Sequence, residues 1–293
     1  MPRILLLRAW LDTSSLRSGG YYSPLEDGCA TLIPIPEEAA AVGDRPPPYL
    51  DPHTWPSSCT GRPLADYMPA EEKWLLHNDP RLDLGFYTDY YSPQGRLPRS
   101  PAKALRPGDL VFFAAGLAGY PEGFWEKPRR RAEILRAFHE ARKRARAGVY
   151  LVAALRIHAV IDVSRTGWRE ALRRAPVLAQ SPHRHRPGDA PVALLGETLE
   201  PPEPVPLAEP RDGRLCGAPR EGLRLLLGGR GAEMFLRQNC RRSRVVHLTR
   251  RETLELLEAL SMRSGAAQEA GAARVAERGE EREKRPRGRG GAA

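Results

Sequence analysis

The sequence predicts a single α+β domain with a curved or barrel-like mixed sheet flanked by helices. Three observations predict it. The strand-like runs are short, apolar and bounded by turn residues. Only two segments carry a clear helical pattern with start and stop signals. Strands and helices do not alternate regularly, which argues against a doubly wound parallel sheet. Hydrophobic residues make up 41% of 293 positions, enough for a real core.

Taken in order, residues 4–10 read as a buried strand. Arg3 and Arg8 interrupt this apolar start and Asp12 follows it with no small-residue cleavage site, so a strand is expected rather than a signal peptide. Residues 31–35 read as a second strand, closed by Pro34 and Pro36. Residues 110–115 form a third, entered through the turn Pro107-Gly108-Asp109. Residues 149–155 follow a glycine. Beyond them Ile157, Ala159, Ile161 and Val163 alternate with Arg156, His158, Val160 and Asp162, a period of two. Residues 223–227 are a further strand candidate.

The first helix is expected over 128–147, with Ile134, Phe138, Ala141 and Ala145 on one face, Pro128 near its start and Gly148 past its end. The second opens on the capping box Thr249 to Glu252 and continues with Leu254, Leu257 and Leu260 as a core stripe. Two stretches are rich in proline: 34–69 holds nine and 176–219 holds ten. Proline fixes φ and lacks a donor, so neither is expected to be mostly helix or central strand. Long loops of this kind are often functional. The domain is expected to span 1–263. The segment 264–293 is charged and almost free of large apolar residues, which predicts a disordered tail.

The formal net charge is +10 and only five of the 46 basic residues are lysine. Arginine makes forked hydrogen bonds to phosphate and stacks on bases, which fits a nucleic-acid partner. A biased codon usage or life at high temperature gives the same composition. The most apolar stretch, 110–120, is far shorter than the roughly 20 residues a bilayer requires, so no membrane partner is expected. Cys29, Cys59, Cys216 and Cys240 form no C-x-x-C pair and are scattered. Reduced thiols in a cytoplasmic protein are the expectation.

Several function classes are disfavoured because their motifs are missing: phosphate-loop NTPases, dinucleotide oxidoreductases, H-E-x-x-H metalloproteases and G-x-S-x-G hydrolases. Four clusters remain. Arg8, Asp12 and Thr13 close the first strand, either facing a site or making a turn. His77-Asn78-Asp79-Pro80, then Tyr87-Thr88-Asp89-Tyr90-Tyr91 and Arg96, is the densest mix of ionisable and aromatic groups. His77 could move a proton near neutral pH, Asp79 and Asp89 could orient it or bind a divalent ion, and the tyrosines could stack on a base. They could equally be a turn and packed rings. Gly108-Asp109 before an apolar strand reads as structural. Ser181-Pro182-His183-Arg184-His185-Arg186 places two histidines two apart, but no third ligand is in view, so a mobile basic loop is expected and neither metal nor cofactor.

In order and wording these segments resemble the third type of nucleotide modification associated domain. The resemblance rests on Ile4-Leu-Leu-Leu-Arg8, Asp12-Thr13, Gly20, Pro24, Asp27-Gly28 and Ile33-Pro-Ile-Pro-Glu37. It continues through His77-Asn-Asp79-Pro80, Tyr87-Thr-Asp89 and Leu105-Arg-Pro-Gly108-Asp109-Leu-Val-Phe-Phe-Ala-Ala-Gly116-Leu117. It covers most of residues 1–260. The middle segment, 105–163, is more loosely similar to PUA-like and EVE-like barrels, which bind RNA or modified bases. The resemblance implies a role beside systems that modify bases in DNA or RNA.

Two functions follow as expectations. The first is a binding module holding a nucleotide or flipped base among Arg8, Asp12, Thr13, His77, Asp79, Tyr87, Asp89 and Arg96. The second is an enzyme acting on a nucleobase or nucleotide, with His77 as acid or base and Asp79 or Asp89 orienting it. A structural partner within a modification complex is the third alternative.

Overall fold

The computed structural model describes residues 1–10, 20–38, 49–70, 74–77, 79–89, 101–185, 191–211, 214–237, 240 and 245–264. The centre is a parallel pair, β1 (Arg3–Arg8) and β8 (Leu110–Ala118), in register from Ile4 opposite Leu110 to Arg8 opposite Ala114. Successive side chains of a strand point to opposite faces. Ile4, Leu6, Leu110, Phe112 and Ala114 therefore enter one core, and Leu5, Leu7, Val111, Phe113 and Ala115 another. Both faces of this pair are covered, which is why its sequence is an unbroken apolar run and not an alternating one.

β9 (Ala147–Asp162) runs antiparallel to β8. The two expected strands at 149–155 and 157–163 are this one 16-residue strand. Its other edge carries two neighbours in succession: β11 (Val205–Arg211) beside Val149–Leu151 and β10 (Val192–Glu200) beside Ala154–Asp162. β10 in turn pairs β7 (Phe86–Asp89) and, at its far end, β14 (Arg263–Ser264). β11 pairs β12 (Arg214–Pro219). β13 (Val246–His247) edges β1. β2 (Ser23–Glu26) extends beside β8 and turns into β3 (Cys29–Ala30).

Register shifts at Phe113/Ala114, Leu195/Gly196 and Pro206/Ala208 bend these strands into a half-barrel. At the second, the Gly196 amide donates to the Gly85 carbonyl at 2.8 Å, and a Cβ on Gly196 would sit 1.9 Å from the Arg156 carbonyl oxygen. A separate three-stranded sheet places β6 (Trp74–His77) between β4 (Ile35–Glu38) and β5 (Tyr49–Leu50).

Helices flank the half-barrel. α1 (Arg131–Lys143) buries Ile134, Phe138 and Ala141, with the Phe138 ring 5.0 Å from that of Tyr22. α2 (Val163–Arg174) starts where β9 ends, its first turn capped by Asp162 accepting from the Ser164 amide. α3 (Glu221–Arg237) and α4 (Arg250–Ala259) close the first core. The fold is therefore a mixed α+β half-barrel, consistent with the PUA-like resemblance.

Several expectations are corrected. Residues 31–34 are not a strand; the strand begins at Ile35. Residues 223–227 lie in helix α3, where Leu223, Leu226 and Leu227 are buried at helical spacing and Leu225 is 50% exposed. A short apolar run does not separate helix from strand by period alone. At α4 the capping box is present and Leu257 and Leu260 are buried as expected, but Leu254 is exposed and Thr253 and Leu256 are buried in its place. The proline-rich stretch 176–219 is not mostly helix or central strand, but it does contain three strands, two of them interior, its prolines falling between strands, beside the bulges of β11 or, for Pro219, at the end of the edge strand β12.

The cysteines are also corrected. Cys29 pairs with Cys59 and Cys216 with Cys240. The fold joins residues 30 and 24 positions apart, so scattered spacing is no argument for free thiols or for a reducing compartment. Among the described residues no helix is long and apolar enough to cross a membrane. Of the expected tail, 264–293, Ser264 is the last residue of β14, and 265–293 lie outside the described residues.

Candidate active site

β6 is the central strand of the small sheet, and its last residue, His77, is paired with Ile35 on one side and Tyr49 on the other. The chain then turns, the Asp79 amide donating to the His77 carbonyl at 3.0 Å. His77 and Asp79, two residues apart across this turn, reach the same cluster. They meet His183, carried by a single 3-10 turn (Pro182–His185) between α2 and β10. One ligand atom from each of the three lies within 4.8 Å of the others.

All three are buried: His77 is 7% exposed, Asp79 8% and His183 5%. The imidazoles of His77 and His183 stand edge to face, 4.9 Å between centroids. His183 Nε2 is 3.9 Å from Asp79 Oδ2, too far for a hydrogen bond.

β7 supplies the support. Its alternation sends Tyr87 and Asp89 to one face and Thr88 to the other. The Thr88 amide donates to both Asp79 oxygens, at 3.1 and 3.2 Å, and its hydroxyl donates to Asp79 Oδ2. The Thr88 hydroxyl is also 3.1 Å from that of Ser181, a fully buried residue two positions before His183. A polar chain thus runs from Asp79 through Thr88 and Ser181 to the turn that carries the second histidine. Burial pushes the Asp79 carboxyl above the usual carboxylate range, opposed by the two imidazoles and by Thr88.

The other expected residues are placed as follows. The Tyr87 hydroxyl donates to Asp89 at 3.1 Å, and its ring meets the Phe113 ring edge to face. Asp89 is buried. Arg8 holds its guanidinium 5.0 Å from the centre of the Tyr22 ring. Asp12, Thr13 and Arg96 lie outside the described residues, as do Asn78, Tyr90, Tyr91 and Arg186, and the side chain of His185. Asp109 is structural, accepting from the amides of Arg3 and Arg106 and from the Arg3 side chain. A surface groove beside Tyr150, Glu209 and Arg220 contains none of the expected site residues.

A constellation of two imidazoles and one carboxylate, buried and braced by hydroxyls, suits proton transfer or metal ligation. In the sequence His77 and Asp79 lie in one motif and His183 in another; the fold joins them. Thr88 and Ser181 stood inside those motifs without a role.

A family model for nucleotide modification associated domain 3 matches residues 3–242. The chain belongs to this family. No curated protein and no solved structure matches it. All three buried residues lie within the part matched to nucleotide modification associated domain 3, as do both disulfides.

Proposed function

We propose that this protein is an enzyme acting on a nucleobase or nucleotide in a base-modification system, with His77, Asp79 and His183 as its reactive centre. The observation that supports it is the convergence of the three buried side chains from two distant segments. A module that only held a base would gain little from burying a carboxylate between two imidazoles, an arrangement that costs desolvation. The same arrangement is useful where a proton must be taken from and returned to a substrate atom, with the carboxylate orienting an imidazole.

The partner class is supported by the family and by the basic stretch around α1. Residues 126–146 hold nine basic and three acidic side chains, a local charge of +6 within a total of +10. Such a surface attracts phosphate and its binding weakens with salt.

The reading is tested with nucleotides and with DNA and RNA oligonucleotides carrying normal and modified bases. Mass spectrometry reports products and fluorescence anisotropy reports affinity. The expected result for His77→Ala is retained fold, affinity changed only severalfold, and turnover reduced at least a hundredfold. Unchanged turnover, or loss of affinity alone, would favour the binding module built around the same residues.

A further inference from the structure

We propose that His77, Asp79 and His183 form a three-ligand site for one divalent first-row transition-metal ion. The proposal rests on the catalytic reading of the same cluster and deepens it. Bonds from such an ion to imidazole nitrogen or carboxylate oxygen are about 2.0–2.2 Å, so two donors on one ion stand at most about 4.4 Å apart. The 3.9 Å between His183 Nε2 and Asp79 Oδ2 is too long for a hydrogen bond and fits two donors on one ion. The three ligand atoms lie within 4.8 Å of one another, and side-chain rotations moving them by roughly an ångström bring them to the roughly 3.0–3.6 Å separations of donors sharing one ion.

The donor set selects the ion. Two imidazoles and one carboxylate suit zinc or ferrous iron, whereas calcium and magnesium prefer all-oxygen shells. Three protein ligands leave positions open for water or a substrate atom, as in catalytic rather than structural sites. The outer shell is also built: Thr88 holds both oxygens of the carboxylate ligand, and Ser181 ties Thr88 to the turn bearing His183. Such partners orient ligands and are worth about 10–100-fold in affinity. The cysteines do not compete, since all four described are in disulfides. In the loaded protein the proton-transfer group would be an ion-bound water in place of a ligand imidazole.

The test uses the full chain stripped with chelator and titrated with Co(II), followed by its visible absorption, with zinc stoichiometry read by elemental mass spectrometry after reconstitution. The expected result is one equivalent per chain, with affinity at least tenfold weaker in His183→Gln and in Asp79→Asn. Substoichiometric binding by the unaltered chain, or unchanged affinity in both variants, overturns the site. If the variants do not fold, X-ray absorption of the zinc-loaded unaltered chain decides: two imidazoles in the shell support the site and oxygen alone refutes it. The two readings fail separately. One bound equivalent with no nucleotide altered leaves the metal site and removes the enzyme. Turnover by the metal-free chain, with substoichiometric Co(II) binding, removes the metal site and leaves the enzyme.

Discussion

Thr88 donates to Asp79 twice over, through its amide to both carboxylate oxygens and through its hydroxyl to Oδ2. This relationship ties β7, a strand of the half-barrel, to the turn that follows the small sheet. Thr88→Val keeps the shape of the side chain and removes the hydroxyl. It leaves a buried carboxylate oxygen and the Ser181 hydroxyl each one partner short. The expected cost is about 1–3 kcal/mol in urea denaturation, with Co(II) affinity lowered about tenfold. A denaturation midpoint equal to the unaltered chain would mean that Thr88 does not brace the carboxylate.

Asp109 closes the turn before β8 onto the start of β1. It accepts from the Arg3 amide and from the Arg106 amide, at 2.8 and 2.7 Å, and pairs with the Arg3 guanidinium at 2.8 Å. Asp109→Ala leaves a largely buried guanidinium and two amides without that acceptor. The expected loss is about 3 kcal/mol, read as a lower denaturation midpoint. A change under a few tenths would show that the turn holds by backbone bonds alone.

Gly196 marks the bulge that bends β10 across β9. A methyl there meets the Arg156 carbonyl, which is backbone and cannot swing aside. Gly196→Ala should destabilise by about 3 kcal/mol or shift the register of the pair. Hydrogen exchange over Val192–Glu200 distinguishes the two, since a register shift exposes amides along the strand. Normal protection with normal stability would contradict the close approach.

The disulfide between Cys216 and Cys240 joins β12 to the segment after α3, around a loop of 24 residues. Replacing both with serine removes a constraint worth about 3 kcal/mol on the unfolded chain. The denaturation midpoint should fall, and reductant should then shift the variant less than the unaltered chain. Equal sensitivity to reductant in both would show that the pair does not form in solution.

The sequence was legible where local physics decides. The unbroken apolar runs of β1 and β8 need both faces covered, and the Thr249–Glu252 capping box fixes where α4 begins. It misled where the deciding contacts are distant. Leu223 to Leu227 is as apolar as a strand and became a helix whose buried face packs on the core against β11 and β12. The proline count of 176–219 hid the interior strand β11, where bulges accommodate Pro206 and Pro210 inside the sheet. The site shows the same divide. His77 and Asp79 were visible as a dense local motif. His183 carried a metal-like spacing to His185 but acquired a role only beside His77 and Asp79, far upstream, a link supported by the contact of Ser181 with Thr88, 93 positions apart. No local pattern encodes that contact; it follows from β10 pairing with both β9 and β7.

The most direct test of the central claim compares the unaltered chain with His183→Ala on one panel of nucleotides and modified oligonucleotides, with products read by mass spectrometry and folding checked by circular dichroism. The account predicts a product from the unaltered chain and at least a hundredfold less from the equally folded variant. Equal product from both would contradict a reactive centre built from His77, Asp79 and His183.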